Sequence, residues 1–111
     1  MDYTTLTNEE SNLIQSYLPS KIKLEGLSKF YFAFADSTRL KILISLCITP
    51  MCVTDLSKVL NINQSTISHQ LQLLKAHNIV SATRKKKNIT YSVLTEYVTK
   101  VIECGIDANA V

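Results

Sequence analysis

The chain has 111 residues, a formal net charge of +3, 46% hydrophobic residues, and only two glycines and two prolines. That length fits one domain, and the apolar content is enough for a core that buries roughly 60–70% of the unfolded surface, which excludes intrinsic disorder. No apolar run reaches the ~18 residues of a membrane span; the longest are Ile42–Ile48 and Phe30–Ala35, so no membrane partner is expected. Met1-Asp2-Tyr3-Thr4 is acidic and polar where an export signal is basic and then apolar, which makes the cytoplasm the expected compartment. Three cysteines, an odd number, then read as reduced thiols rather than a disulfide framework.

With so few breakers the chain is expected to be mainly α. Thr7 followed three residues later by Glu10 is a capping box, predicting a short helix from about Asn8 to Tyr17 that Pro19 ends. A second helix is expected over Leu24–Ala35. Asp36 can N-cap a third over Ser37–Leu46, where Leu40, Leu43, Ile44 and Cys47 recur at helical spacing, and Thr49-Pro50 closes it. Thr54 can then cap a two-turn helix, Asp55–Leu60. After Asn61-Ile62-Asn63 a further helix runs over Gln64–His77, capped by Asn63. Two helices joined by a three-residue turn form a helix-turn-helix.

At 100° per residue, Ile67, Leu71 and Leu74 of that last helix share one face within about 40°. Ser65, His69, Gln72 and Ala76 lie opposite, with Thr66 and Ser68 on the flanks. Small hydroxyls, an imidazole and amides without an acid can exchange hydrogen bonds with base edges and phosphates, and short side chains let the helix sit deep in a major groove about 12 Å wide. Beyond Asn78, which suits a helix C-cap, Ile79–Thr83 and Ile89–Val93 read as two strands. Arg84-Lys85-Lys86-Lys87-Asn88 joins them, with Asn88 the expected left-handed residue of the turn. The result is a small β-hairpin directly after a recognition helix, the wing of a winged helix-turn-helix, whose tip can lie on phosphates or enter the minor groove.

Charge follows the same division. Residues 1–55 carry −1 and residues 96–111 carry −2, whereas residues 56–95 hold six basic side chains and no acid. A stretch of that kind complements a polyanion, so double-stranded DNA is the expected partner. The organisation expected is a single winged helix-turn-helix domain over 1–111, with an N-terminal helical extension at 1–23, the helix-turn-helix at 54–77 and the wing at 79–93.

Two stretches resemble the ArsR/SmtB transcriptional repressors: Phe34-Ala35-Asp36-Ser37-Thr38-Arg39-Leu40-Lys41-Ile42-Leu43, with Ser37 where proline is common, and Leu60-Asn61-Ile62-Asn63-Gln64-Ser65-Thr66-Ile67-Ser68-His69-Gln70-Leu71. The resemblance covers about Leu27 to Tyr97. It implies a homodimer built through the first and last helices that sits on a near-palindromic operator and leaves when an effector binds. By position, Gln64, Ser65, Ser68 and His69 would face DNA and Arg84–Lys87 would form the wing; Thr66 and Gln72 join them from the face reading above. Many members sense metals, yet the cysteine pattern of one site type falls here on Cys52, Thr54 and Ser57. The last-helix zinc set falls on Thr95, Tyr97, Ala108 and Val111, so neither set is filled and no cofactor is expected, with a metal effector bound through other ligands, Cys52 among them, the alternative.

Plainer readings stand beside these. Cys47 and Cys52 suit small buried hydrophobes, although with Cys104 they could form a thiol sensor. His77 reads as a helix-end cation, and Asp36 with Arg39 as a cap and an ion pair. Phe30, Tyr31, Phe32 and Phe34 cover several faces, core on one and dimer contact on another. The alternative function is a protein–protein interaction module, whose exposed helix face would carry aromatic or aliphatic anchors in place of hydroxyls. An enzyme is not expected: the chain has no Gly-rich phosphate loop, no His-Glu-x-x-His and no Gly-x-Ser-x-Gly.

Overall fold

The capping box is formed. In the computed structural model, which describes residues 5–110, the Thr7 hydroxyl accepts from the Glu10 amide at 3.1 Å and Glu10 Oε1 accepts from the Thr7 amide at 3.0 Å. Those bonds to Thr7 hold the Glu10 carboxyl below the usual carboxylate range. They open α1 (Asn8–Tyr17), and Pro19 follows its C-cap, Leu18. Met1–Thr4, read above for export, and Val111 lie outside the described residues.

The second helix, α2, is Lys21–Phe32, three residues earlier at both ends than the sequence suggested. Ser20 is the reason at its start, since its hydroxyl accepts from the Lys23 amide at 3.3 Å. Asp36 caps α3 (Ser37–Ile48) through Arg39 N at 3.0 Å, as expected. The expected Asp36–Arg39 ion pair is not made: Arg39 turns its guanidinium back to the carbonyls of Ala33 at 3.2 Å and Phe32 at 2.9 Å. Next, α4 (Val53–Leu60) starts two residues before the predicted helix. Thr54 is therefore inside the first turn and Cys52 occupies the N-cap without supplying a side-chain bond.

Asn61, at φ 54°, ends α4 in the left-handed region that asparagine tolerates. The Ser57 hydroxyl donates to the Ile62 carbonyl and the Ser57 carbonyl accepts from the Ile62 amide, which fixes the turn into α5 (Gln64–Ala76). Asn63 caps that helix through Thr66 N at 2.8 Å. His77 is its C-cap, and Asn78, at φ 60°, is the left-handed residue beyond it. Strands β1 (Val80–Lys85) and β2 (Asn88–Val93) pair antiparallel, Val80 opposite Val93 and Lys85 opposite Asn88. Met51 adds a short bridge to Tyr91 with bonds of 3.0 and 2.8 Å, and α6 (Glu96–Asn109) completes the chain.

The core joins α3, α4, α5, α6 and the residue just before β1 through fully buried Ile42, Leu43, Leu56, Ile67, Leu71, Leu74, Ile79 and Val98. Neither α1 nor α2 buries a residue among those described, and Leu13, Ile14, Tyr17, Ile22, Leu24, Leu27 and Tyr31 are exposed. The radius of gyration, 18.8 Å, far exceeds the roughly 13 Å of a compact domain of similar length. Among the described residues no helix is long and apolar enough to cross a membrane.

Arg39 is 8% exposed and has no carboxylate partner among the described residues, so the two carbonyls are what make its burial tolerable. Arg39→Ala is expected to lower unfolding free energy by about 2–4 kcal/mol, the sum of two charge-assisted bonds and lost packing. Urea titration followed by circular dichroism checks this. A loss below about 0.5 kcal/mol, the range of ordinary surface changes, would show that α2 is held by something else.

Candidate nucleic-acid interface

Ile67, Leu71 and Leu74 turn fully into the core, and that fixes which face of α5 looks outward. Gln64, Ser65, His69 and Gln72 are exposed, and Thr66 and Ser68 are half-buried on the flanks. Arg84 and Lys85 extend β1 as exposed residues, so the turn itself is only Lys86-Lys87. The left-handed residue is Lys86, at φ 58°, and not Asn88, which is already paired in β2. Register decides this: with Lys85 opposite Asn88, the first loop residue must take the positive φ that two-residue hairpins usually give to glycine.

Helix and hairpin share a groove of about 310 Å³ lined by Cys52, Val53, Thr54, Ser68, Lys87 and Asn88, among others. Its floor includes the first turn of α4, whose amides no side chain caps. Thr54 and Asn88 thus belong to this surface, although the sequence pointed to them only as a helix cap and a turn residue. Asp55, also in the first turn of α4, lines an adjoining hollow with Asn88 and Thr90.

The three cysteines are free thiols that fall in different places. Cys47 is half-buried and packs on the core, Cys52 is half-buried and lines the groove just described, and exposed Cys104 lines a second groove between α2 and α6. Among the described residues no three of His, Cys, Asp and Glu converge as a metal site would require. At the positions of the thiolate pattern, the Ser57 hydroxyl is committed to the Ile62 carbonyl, and Thr54 offers only a hard oxygen. These residues do not fit a soft metal ion.

Comparison with known proteins agrees with this geometry. Residues 36–82 match the profile described as bacterial regulatory protein, arsR family. The chain is 37% identical over 87 residues to the nodulation protein NolR of Rhizobium meliloti, covering 74% of this chain and 71% of that protein. It is 29% identical over 90 residues to a transcriptional repressor SmtB homolog of Synechocystis sp., covering 81% and 68%. Over these and two further regulators, the matched stretch spans between 62% and 71% of the relative's length. Among solved structures, NolR from Sinorhizobium fredii superposes with a TM-score of 0.72 at 28% identity, covering 96% of each chain.

A lysine at φ 58° carries a steric cost of roughly 1 kcal/mol that glycine avoids. Lys86→Gly is therefore expected to raise the unfolding free energy by up to about 1 kcal/mol by removing that cost. Urea titration of the two proteins measures it; an unchanged or lowered midpoint would mean that the turn is not strained in solution.

Proposed function

The chain belongs to the ArsR family of bacterial regulatory proteins, and from that premise we propose that it is a cytoplasmic, homodimeric transcriptional repressor that binds double-stranded operator DNA. The observation that carries this reading is the groove in which Ser68 of α5 meets Lys87 of the hairpin. It joins the hydroxyl-bearing helix face and the four-cation tip into one surface, and the segment from residue 56 to 95 contains no acid. Ser65, Thr66, Ser68, His69 and Gln72 would read base edges, with Gln64 at the helix start. Arg84, Lys85, Lys86 and Lys87 would lie on phosphates.

A second copy is proposed to cover the apolar surface that α1, α2 and α6 leave open. A concavity of about 580 Å³ on it lies between Leu27, Phe30 and Tyr31 of α2 and Tyr97, Val101 and Cys104 of α6. An interaction module is disfavoured because the exposed residues of α5 are Gln64, Ser65, His69 and Gln72, with Lys75 and Ala76 at its end, and include no aromatic or large aliphatic anchor. Nothing in this surface resembles a catalytic arrangement, and no reaction is assigned to it.

Fluorescence anisotropy with DNA from the region upstream of the coding sequence, against random competitor, tests the assignment. His69→Ala is expected to reduce the preference for specific over random DNA about tenfold, the loss of one base contact. Lys86→Ala should weaken both complexes alike and reduce the salt slope by about one. If neither substitution changes binding, the assigned face is wrong. The metal ligand sets of sensing relatives are not filled, so zinc is expected to leave operator affinity unchanged; a tenfold weakening, a coupling of about 1.4 kcal/mol, would reveal a metal site elsewhere.

A further inference from the structure

The carbonyl end of α2 is completed by side chains from other elements. In an uninterrupted helix the Lys29 carbonyl would accept from the amide of Ala33, but that amide turns to the carbonyls of Phe30 and Tyr31. Lys29 O accepts instead from Nδ1 of His77, 3.0 Å away and 48 residues on in the chain. A carbonyl can only accept, so Nδ1 carries the proton. The same imidazole stacks on Phe32, with ring centroids 5.5 Å apart and planes 25° apart. Arg39 approaches that phenyl ring to 4.5 Å while its guanidinium donates to the Phe32 and Ala33 carbonyls.

His77 is the C-cap of α5, so this contact is a direct joint between the proposed recognition helix and α2. Exposed Leu24, Leu27 and Tyr31 put α2 on the surface proposed to pair two copies. In a two-fold protein the recognition helices must sit about 34 Å apart, one turn of DNA, so whatever ties each helix to the interface element sets that spacing. We infer that His77 is a positioning residue for operator recognition: without touching DNA, it fixes the end of α5 against α2. The inference rests on the DNA-binding reading given above.

Two variants of the full chain separate the contributions. His77→Phe keeps a ring to stack on Phe32 but has no donor, whereas His77→Asn places an amide N–H near the position of Nδ1 without the ring. Amide hydrogen exchange on the DNA-free protein comes first: His77→Phe is expected to speed exchange in the last turns of α2 and α5 while the core amides of α3 are unchanged, and His77→Asn should restore slow exchange in both turns. Anisotropy comes second: His77→Phe should bind the operator about tenfold more weakly, comparable to one mismatched base pair, with random DNA unaffected, and His77→Asn should recover most of that loss. Operator binding by His77→Phe equal to wild type, or equal weakening on random DNA, overturns the inference, as does failure of His77→Asn to rescue. If the unaltered protein shows no operator preference, the DNA-binding reading has failed rather than the joint. The exchange data then decide the joint alone, and unchanged exchange in His77→Phe overturns it.

Discussion

A guanidinium without a carboxylate governs how this molecule is put together. Arg39 reaches from the first turn of α3 to the Phe32 and Ala33 carbonyls at the end of α2, where aligned peptide dipoles supply the negative end that an acid would otherwise provide. Its flat fork matches two neighbouring carbonyls, which the point charge of a lysine would not. Because α2 buries no residue, its direction depends on this cap, on His77 and on Phe30, which packs against the core beside Phe34 with ring centroids 5.2 Å apart. The aromatic run therefore divides by function. Phe30 and Phe34 face inward, Tyr31 is exposed, and Phe32 lies between a guanidinium and an imidazole.

Where a signal was local, the sequence was enough to place it. Thr7 with Glu10, Asp36 before α3 and Asn63 before α5 each supply the expected cap, since an acceptor three residues ahead of a free amide is a short-range arrangement. The three-four spacing of Ile67, Leu71 and Leu74 likewise gave the buried face of α5. Errors arose where a distant partner decides. Cys52 rather than Thr54 begins α4 because Met51 is drawn into a bridge with Tyr91, forty residues away, and local pattern carries no trace of that pairing. Lys86 rather than Asn88 takes the left-handed turn because strand register overrides the preference of asparagine. The Ser20 cap is equally local, and Pro19 serves both as the stop of α1 and as the residue before that cap.

The surface has two characters that follow from the same patterning. Apolar side chains that no other element covers concentrate on α1, α2 and α6, and cations concentrate on the hairpin, with no acid on it or on α5. A chain of this length cannot leave Leu13, Ile14, Tyr17, Ile22 and Tyr31 in water without losing much of what burial offers, at about 25 cal/mol per Å². The extended shape and the uncovered apolar surface go together: most of the core lies in α3 to α6, while α1 and α2 bury no residue of their own and leave the apolar surface that the proposed second copy would cover. His77 and Arg39 are where those two parts touch.

Lys86 makes the corresponding argument on the other surface. The tip needs a positive φ at one residue, and glycine there would remove the steric cost. A lysine in that slot keeps the cation run Arg84–Lys87 unbroken from the end of β1 through the turn, and each phosphate a cation neutralises releases condensed counterions, a gain available only on a polyanion. Stability is thus given up locally at an exposed cation, a cost that the proposed contact with DNA would explain. The two histidines differ in the same way: His69 is exposed on the outward face of α5, whereas His77 is turned back to Lys29 and Phe32, which suits the first to the proposed DNA contact and the second to the proposed joint.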